Sequence, residues 1–285
     1  MSYAVNEYVL GHANHELKRL ISQSTFFGPL TEQVLRSAGL APGMHVLDVG
    51  CGNGLVAFGA LERGAGRVVF ADISRPLLDE CRSIAEGLGA LERCEFVEAA
   101  ADALVPVAYA SVDVVTTRSV LIYVADKRAA FAEFFRVLRP GGRVSLFEPI
   151  NTFGMEQRRR EFFGLDLPGL AEAGAKLEAA YDEAAPESNP MVDFDERDLV
   201  EHAEAAGFFP IRLDLRLDVE PSEPRSWESF LNGSPNPNVP TFGEALGALT
   251  PGEAERMTAY MRPRVEQGLG RWRMGHAYLW ATKPG

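Results

Sequence analysis

Three glycines, at positions 50, 52 and 54, fall in the run VLDVGCGNGLVAFGA (46–60), between an apolar strand-like segment and a helix-like one. A glycine-rich turn in that setting brings backbone N–H groups close to a ligand at the positively polarised start of a helix. Asp72 ends the next apolar run, RVVFAD, twenty residues past Gly52. A carboxylate at this spacing can accept hydrogen bonds from both hydroxyls of a ribose, and an acid there favours a free 2′-hydroxyl over a 2′-phosphate. The plainer use of the same residue is to cap the following helix. A dinucleotide fingerprint asks for a third small residue at position 55; this chain has Leu55, and its third glycine comes one position early.

The elements that must hold these residues are readable between about 44 and 150. The segments MHVLDVG, RVVFADIS, CEFVEA, SVDVVTTR and RVSLFEPI read as five strands, the first a continuous apolar run of the kind buried on both faces. Helices alternate with them. Ser74 with Pro76 marks one helix start, and RPGG (139–142) is expected to close the helix DKRAAFAEFFRVL. Strands alternating with helices predict an α/β fold around a parallel sheet. Beyond 193, ERDLVEHAEAAGF reads as an amphipathic helix. IRLDLRLDV (211–219) alternates strictly between apolar and charged residues, as an edge strand with one solvated face does, and HAYLWATK (276–283) reads as a last strand. The expected organisation is an N-terminal helical lid (1–40), a core (41–150), a helical insertion (151–193), a core helix and sixth strand (194–219), a cap insertion (220–275) and the last strand (276–285).

Composition bounds the partners. Lys+Arg of 28 against Asp+Glu of 40 leaves a net charge of −12, which repels nucleic-acid backbones and anionic membranes. Three cysteines (Cys51, Cys81, Cys94) without metal-ligand spacing fit a reducing compartment. With no basic leader ahead of an apolar run and no stretch long enough to span a bilayer, a cytoplasmic protein is expected, with a small-molecule substrate, no metal, no nucleic acid, no membrane and a possible homodimer.

Taken together, VLDVGCGNG, the acidic ADIS, the AAADAL after the third strand and RVLRPGGRVSLFE resemble the class I S-adenosylmethionine-dependent methyltransferases, in their small-molecule, natural-product branch. The resemblance implies a Rossmann-like seven-stranded, mostly parallel sheet in the order 3-2-1-4-5-7-6, with an antiparallel last strand and a helical cap. It also implies S-adenosyl-L-methionine as cofactor, with S-adenosyl-L-homocysteine as product, in a secondary-metabolism setting. On this pattern Gly50, Cys51 and Gly52 lie against the methionine moiety and Asp48 steadies their loop. Asp72 takes the ribose, and Ile73 packs on adenine. Asp102, flanked by Ala101 and Ala103, reads the adenine amino group; a surface turn is its plainer use. Arg118 and Ser119 offer backbone beside the transferable methyl. In HELKRLISQ, Glu16, Arg19, Leu20 and Gln23 share one helix face, similar to methyltransferases whose first helix closes over the cofactor. There Arg19 is matched to the methionine carboxylate, or pairs with Glu16 on a solvated face.

A sulfonium methyl is already electrophilic, so such an enzyme must hold a nucleophile in line and exclude water; a general base is needed only if the acceptor must lose a proton. The base candidates are Glu148 at the end of strand five, His12, His15 and His276, whereas His45 and His202 read as structural. After strand four stands TTRSVLIY, not the Asn/Asp-Pro-Pro-aromatic run of nucleic-acid amino methyltransferases. For substrate contact the candidates are Trp227, Phe230 and Phe242, which otherwise pack the cap's own core, and Arg273, which otherwise is solvated beside Arg271. A nicotinamide-dependent oxidoreductase uses the same kind of sheet, and a non-catalytic cofactor-binding protein keeps the same fold; Leu55 and the lack of a Tyr-x-x-x-Lys pair oppose the first.

Overall fold

The computed structural model describes residues 27–154, 161–184, 189–234 and 239–285. It begins with α1 (Phe27–Ser37) and runs as β1 (His45–Val49), α2 (Leu55–Glu62), β2 (Arg67–Asp72), α3 (Arg75–Gly87), β3 (Cys94–Glu98), β4 (Val112–Arg118), α4 (Lys127–Val137) and β5 (Leu138–Pro149). There follow the two-residue strands β6 (Glu161–Phe162) and β7 (Leu165–Asp166), then α5 (Ala171–Ala184), α6 (Glu196–Ala206) and β8 (Ile211–Pro221). Three helices, α7 (Trp227–Leu231), α8 (Phe242–Ala245) and α9 (Pro251–Glu266), precede the last strand, β9 (Arg271–Thr282).

Seven strands form one sheet in the order β3-β2-β1-β4-β5-β9-β8. Strands β3, β2, β1, β4 and β5 pair in parallel, and β9 joins β5 antiparallel, with Glu148 opposite Ala277 and Pro149 opposite His276. This is the expected order, with β8 and β9 as the sixth and seventh strands of the sheet. Because the five parallel strands share one direction, the residues after β1, β2, β3, β4 and β5 gather at one edge. The strand order reverses between β1 and β4, the switch point where such sheets bind ligands.

By contacts the chain divides into two compact units. The larger takes the described residues up to Ile150, with Pro190–Leu215 and His276–Gly285. Its core packs Val34 and Leu35 of α1, Phe58 of α2 and Leu78 of α3 on Val46, Val68 and Phe70. The Phe58 and Phe70 rings lie 5.1 Å apart, and each fully buried side chain of this size is worth about 1.5–3 kcal/mol. Two buried lysines tie loops to it. Lys127 Nζ donates to the carbonyls of Val124 and Pro190 and to Asp193 at 2.5 Å. Lys283 Nζ donates to the carbonyls of Phe135 and Leu138 at 2.8 Å each, closing the end of α4.

The other unit takes Asn151–Asn189 and Arg216–Gly275. Its core joins Phe162, Leu177, Phe230, Phe242, Met257 and Met261. Region 151–193 was expected to be helical, yet it also holds a hairpin: β6 and β7 pair antiparallel across Phe163 and Gly164, both at positive φ (50° and 76°). Such a two-residue turn needs positive φ at both central positions. A Cβ on Gly164 would fall 1.9 Å from the Arg271 carbonyl oxygen, so only glycine fits. The hairpin carries no alternation signal in the sequence because each strand is two residues long.

Two further expectations are corrected. The α4 helix stops at Val137, just ahead of RPGG as expected, but RPGG lies within β5, which begins at Leu138 rather than at Arg143. A register shift between Val112 and Val114 on β4 takes up the extra residues. On β8, the charged face is exposed as expected, but so is the apolar one: Leu215, Leu217 and Val219 keep 40%, 49% and 56% of their surface.

Candidate functional site at the carboxyl edge of the sheet

The loop after β1 is built by its three glycines in different ways. All have positive φ (61°, 52° and 79°), a region costly for other residues. At Gly50 a Cβ would meet Val120 Cγ2 at 2.4 Å, and at Gly54 the Phe58 ring at 2.6 Å. At Gly52 it would meet nothing within 4 Å. The first and third glycines are therefore required by packing, while the second opens a cradle. The contact with Val120 also brings this loop against the residues that follow β4, across the switch point.

Buried acids hold both loops. Asp48, inside β1, accepts from Ala57 N of α2 at 3.1 Å and from Thr116 Oγ1 of β4 at 2.8 Å. It thus satisfies a free N–H of the helix that follows the glycine turn. Burial pushes its pKa up to about 7, against the pull of the Thr116 and Ala57 hydrogen bonds and the Arg118 charge. Asp72 accepts from Gly52 N and from Ser74 N, each at 2.8 Å, so it latches the glycine loop to the start of α3. Its pKa is also raised, mainly by burial. Ser74 is the residue before α3, and its hydroxyl makes no capping bond. Ile73 beside it is half exposed, at 50%, an apolar surface next to the cradle.

Glu148 is fully buried at the end of β5. One oxygen accepts from Val120 N and Leu121 N at 3.0 Å, the other from Ile122 N at 3.3 Å. Burial raises its pKa to about 7, opposed by those three bonds and by Lys127. The sequence offered Glu148 as a base; the structure makes it a clamp on the loop after β4, with both oxygens occupied by backbone. In that loop Ser119 has positive φ (56°), unusual for a residue with a side chain, and its N–H donates to the Phe147 carbonyl at 2.8 Å. Arg118 carries a positive charge beside Asp48 and Glu148.

The remaining candidates fall as follows. Ala101 is buried, Asp102 half-buried and Ala103 exposed, in a turn closed by Ala103 N to the Ala100 carbonyl at 3.1 Å. Cys51 is buried beside Cys81, which raises its pKa more than burial does. His276 is buried between the Phe147 and Tyr278 rings, at 5.2 and 5.7 Å. His12, His15 and Arg19 lie outside the described residues. Sequence reasoning missed Thr116 and Val120. A polar pair, Thr116–Thr117, closing an otherwise apolar strand was the available signal for the first; nothing local marks the second.

In the other unit the aromatic candidates pack on one another. Phe230 and Phe242 have centroids 4.9 Å apart, and Trp227 stacks on Phe230 at 5.5 Å. Phe242 has no exposed surface and Phe230 only 3%, so both serve this unit's core, while Trp227 is half-buried. Arg273 and Arg271 both bind the Glu161 carboxylate, Arg273 through two nitrogens, which spends the charge the sequence reading reserved for a substrate. A cavity of about 140 Å³ lies nearby, lined by Asp166, Tyr260 and Arg271 among others, too small for most metabolites. Among the described residues no cluster of His, Cys, Asp or Glu is suited to a metal, and no helix is long and apolar enough to cross a membrane.

An open cradle at Gly52, a buried acid at the end of β2 and an apolar residue beside it fit a nucleoside-bearing cofactor at the switch point. Residues 47–146 match the model of a methyltransferase domain. The chain is 32% identical over 207 residues to a nocamycin O-methyltransferase of Saccharothrix syringae, covering 68% of this chain and 69% of that one. To a tRNA 5-carboxymethoxyuridine methyltransferase of Escherichia coli K12 it is 35% identical over 103 residues, 36% of this chain and 39% of the relative. Other curated relatives are likewise matched over less than half their length. Among solved structures, a geranyl diphosphate methyltransferase in complex with S-adenosylmethionine superposes with a TM-score of 0.55 at 17% identity, over 98% of this chain and 95% of that one.

Proposed function

The chain belongs to the class I S-adenosylmethionine-dependent methyltransferases, and from that premise we propose that it methylates an oxygen of a small, apolar or aromatic metabolite. The observation that carries this reading is the likeness to the nocamycin O-methyltransferase, which extends over two thirds of both chains, well beyond the cofactor-binding segment. The matched stretch of the tRNA methyltransferase is about half as long, and a net charge of −12 opposes a polyanionic substrate.

In this proposal Gly50, Cys51 and Gly52 bear the methionine part of the cofactor, Asp72 the ribose, and Ile73, Ala101, Asp102 and Ala103 the adenine. Bound S-adenosylmethionine supplies a methyl group that is electrophilic without further activation. The protein's own work is then placement. Asp48 fixes the start of α2, Asp72 latches the glycine loop to α3, and Glu148 fixes the backbone of 120–122 on the other side of the switch point. These bonds set the two loops before any ligand arrives, so little ordering remains to be done on binding. As Glu148 already accepts three backbone bonds, deprotonation of an acceptor hydroxyl falls to another group, and His276, opposite Pro149 where β9 meets the end of β5, is the candidate within the described residues.

The test is incubation of the purified chain and methyl-labelled S-adenosylmethionine with two pools: a panel of phenolic and enolic natural products, and bulk tRNA. Label is expected in the small-molecule pool as a base-stable ether. Label confined to tRNA would overturn the substrate class, and label on carbon or nitrogen would overturn the oxygen assignment.

A further inference from the structure

Strand β8 ends the seven-stranded sheet, with β9 as its neighbour on one side and no strand on the other among the described residues. It is eleven residues long, about twice the usual strand length. An edge of that length, exposed on both faces from Asp214 to Leu217 and half-buried at Ile211 and Leu213, is a template for pairing unless something covers it. Alternation puts Ile211, Leu213, Leu215, Leu217 and Val219 on one face and Arg212, Asp214, Arg216 and Asp218 on the other. The Arg216 Nε to Asp218 bonds of 2.9 and 3.0 Å confirm that positions two apart share a face. Arg216 points largely into solvent, with 67% of its side chain exposed.

The order of charges along this edge reads as its own complement. If a second β8 runs antiparallel about a dyad at Leu215, Arg212 stands opposite Asp218 of the second copy and Asp214 opposite its Arg216. On the other face Ile211 meets Val219, Leu213 meets Leu217, and Leu215 meets itself. A dyad at Asp214 or Arg216 instead sets like charges together, and a dyad at Leu217 sets Asp214 against Glu220. A parallel in-register pairing places every charge on its own kind. Pro210 and Pro221 bracket the run and, lacking N–H groups, confine any added ladder to the matched residues. Charges that guard an edge against all comers need not alternate in sign about a centre; these do, and so they select one partner.

We propose that β8 is a self-pairing edge, through which two copies of this chain join antiparallel about Leu215.

The full chain tests it by native mass spectrometry and sedimentation, with circular dichroism to confirm that each variant folds. The unmodified chain is expected to be dimeric. Arg216→Asp and Asp214→Arg each place like charges opposite one another, and each is expected to weaken self-association by roughly tenfold or more. Mixed together, those two variants become complementary, and a heterodimer is expected to form. The double variant Asp214→Arg with Arg216→Asp restores the match within one sequence and is expected to dimerise again. A monomeric parent chain, a dimer indifferent to Arg216→Asp, or a failure of the two single variants to combine would each overturn the proposal.

Discussion

The glycine loop of one unit and the aromatic cluster of the other are both made of residue types that bind small molecules, yet they use them in opposite ways. At the carboxyl edge of the parallel sheet the packing is done by neighbours such as Val120 and Phe58, and the loop leaves an open cradle at Gly52. In the other unit the aromatic rings are themselves the packing: Phe230 and Phe242 are buried against each other and against Phe162 and Phe163. At the first place buried acids hold the backbone, through Asp48 to Ala57 N and Asp72 to Gly52 N. Stability at the second rests on the very side chains that sequence reasoning reserves for a substrate. An aromatic residue is ambiguous in a way that a glycine with positive φ is not.

The sharpest way to break this contrast is Phe242→Ala. Truncating a wholly buried phenylalanine is expected to cost about 3–5 kcal/mol of stability, while calorimetric affinity for S-adenosylhomocysteine stays near that of the parent chain. An undiminished melting temperature would show that the ring is not core.

The converse is expected of Asp72→Ala. It removes charge-assisted bonds worth about 1.5–3 kcal/mol each, so cofactor affinity should drop by roughly 100-fold with a smaller change in melting temperature. Unchanged affinity would remove Asp72 from the ribose site.

Glu148 sharpens the comparison through pH. Its folded-state pKa lies near 7, above the usual 4.5, so the folded chain holds a proton that the unfolded chain has released. Its contribution to stability is full below the usual carboxylate range and is lost as pH rises to about 7 and beyond. Thermal melts of Glu148→Gln between pH 5 and 8 should lack that decline, a difference of about 1–3 kcal/mol across the window. Parallel curves for parent and variant would mean that Glu148 does not titrate there.

The smallest effect is expected at the cradle. Gly52→Ala meets no protein atom, so it should cost only about 1–2 kcal/mol for its left-handed backbone while lowering cofactor affinity. Gly50→Ala should cost more, because its methyl collides with Val120. Equal stability losses would put the two glycines in one class.

Much of this architecture was legible beforehand because it rests on local signals. Apolar runs of strand length, glycines after the first of them and an acid closing the second mark the alternating parallel sheet, and the charge alternation at 211–219 marks an edge. The hairpin at 161–166 was not legible, since strands of two residues carry no periodicity. The hydrogen bonds of Glu148 were not legible either: its partners Val120, Leu121 and Ile122 lie more than twenty-five residues away in the chain, and only the parallel pairing of β4 with β5 brings them to it.

By itself, then, the sequence determined the sheet, the glycine turn and the family of cofactor, because each depends on residue types at fixed spacing along one strand or one turn. The tertiary structure decided which glycine leaves room for a ligand, which acids are clamps and which aromatic rings are core. Those properties depend on what stands opposite a residue in space, and long-range strand pairing and side-chain packing supply that neighbour.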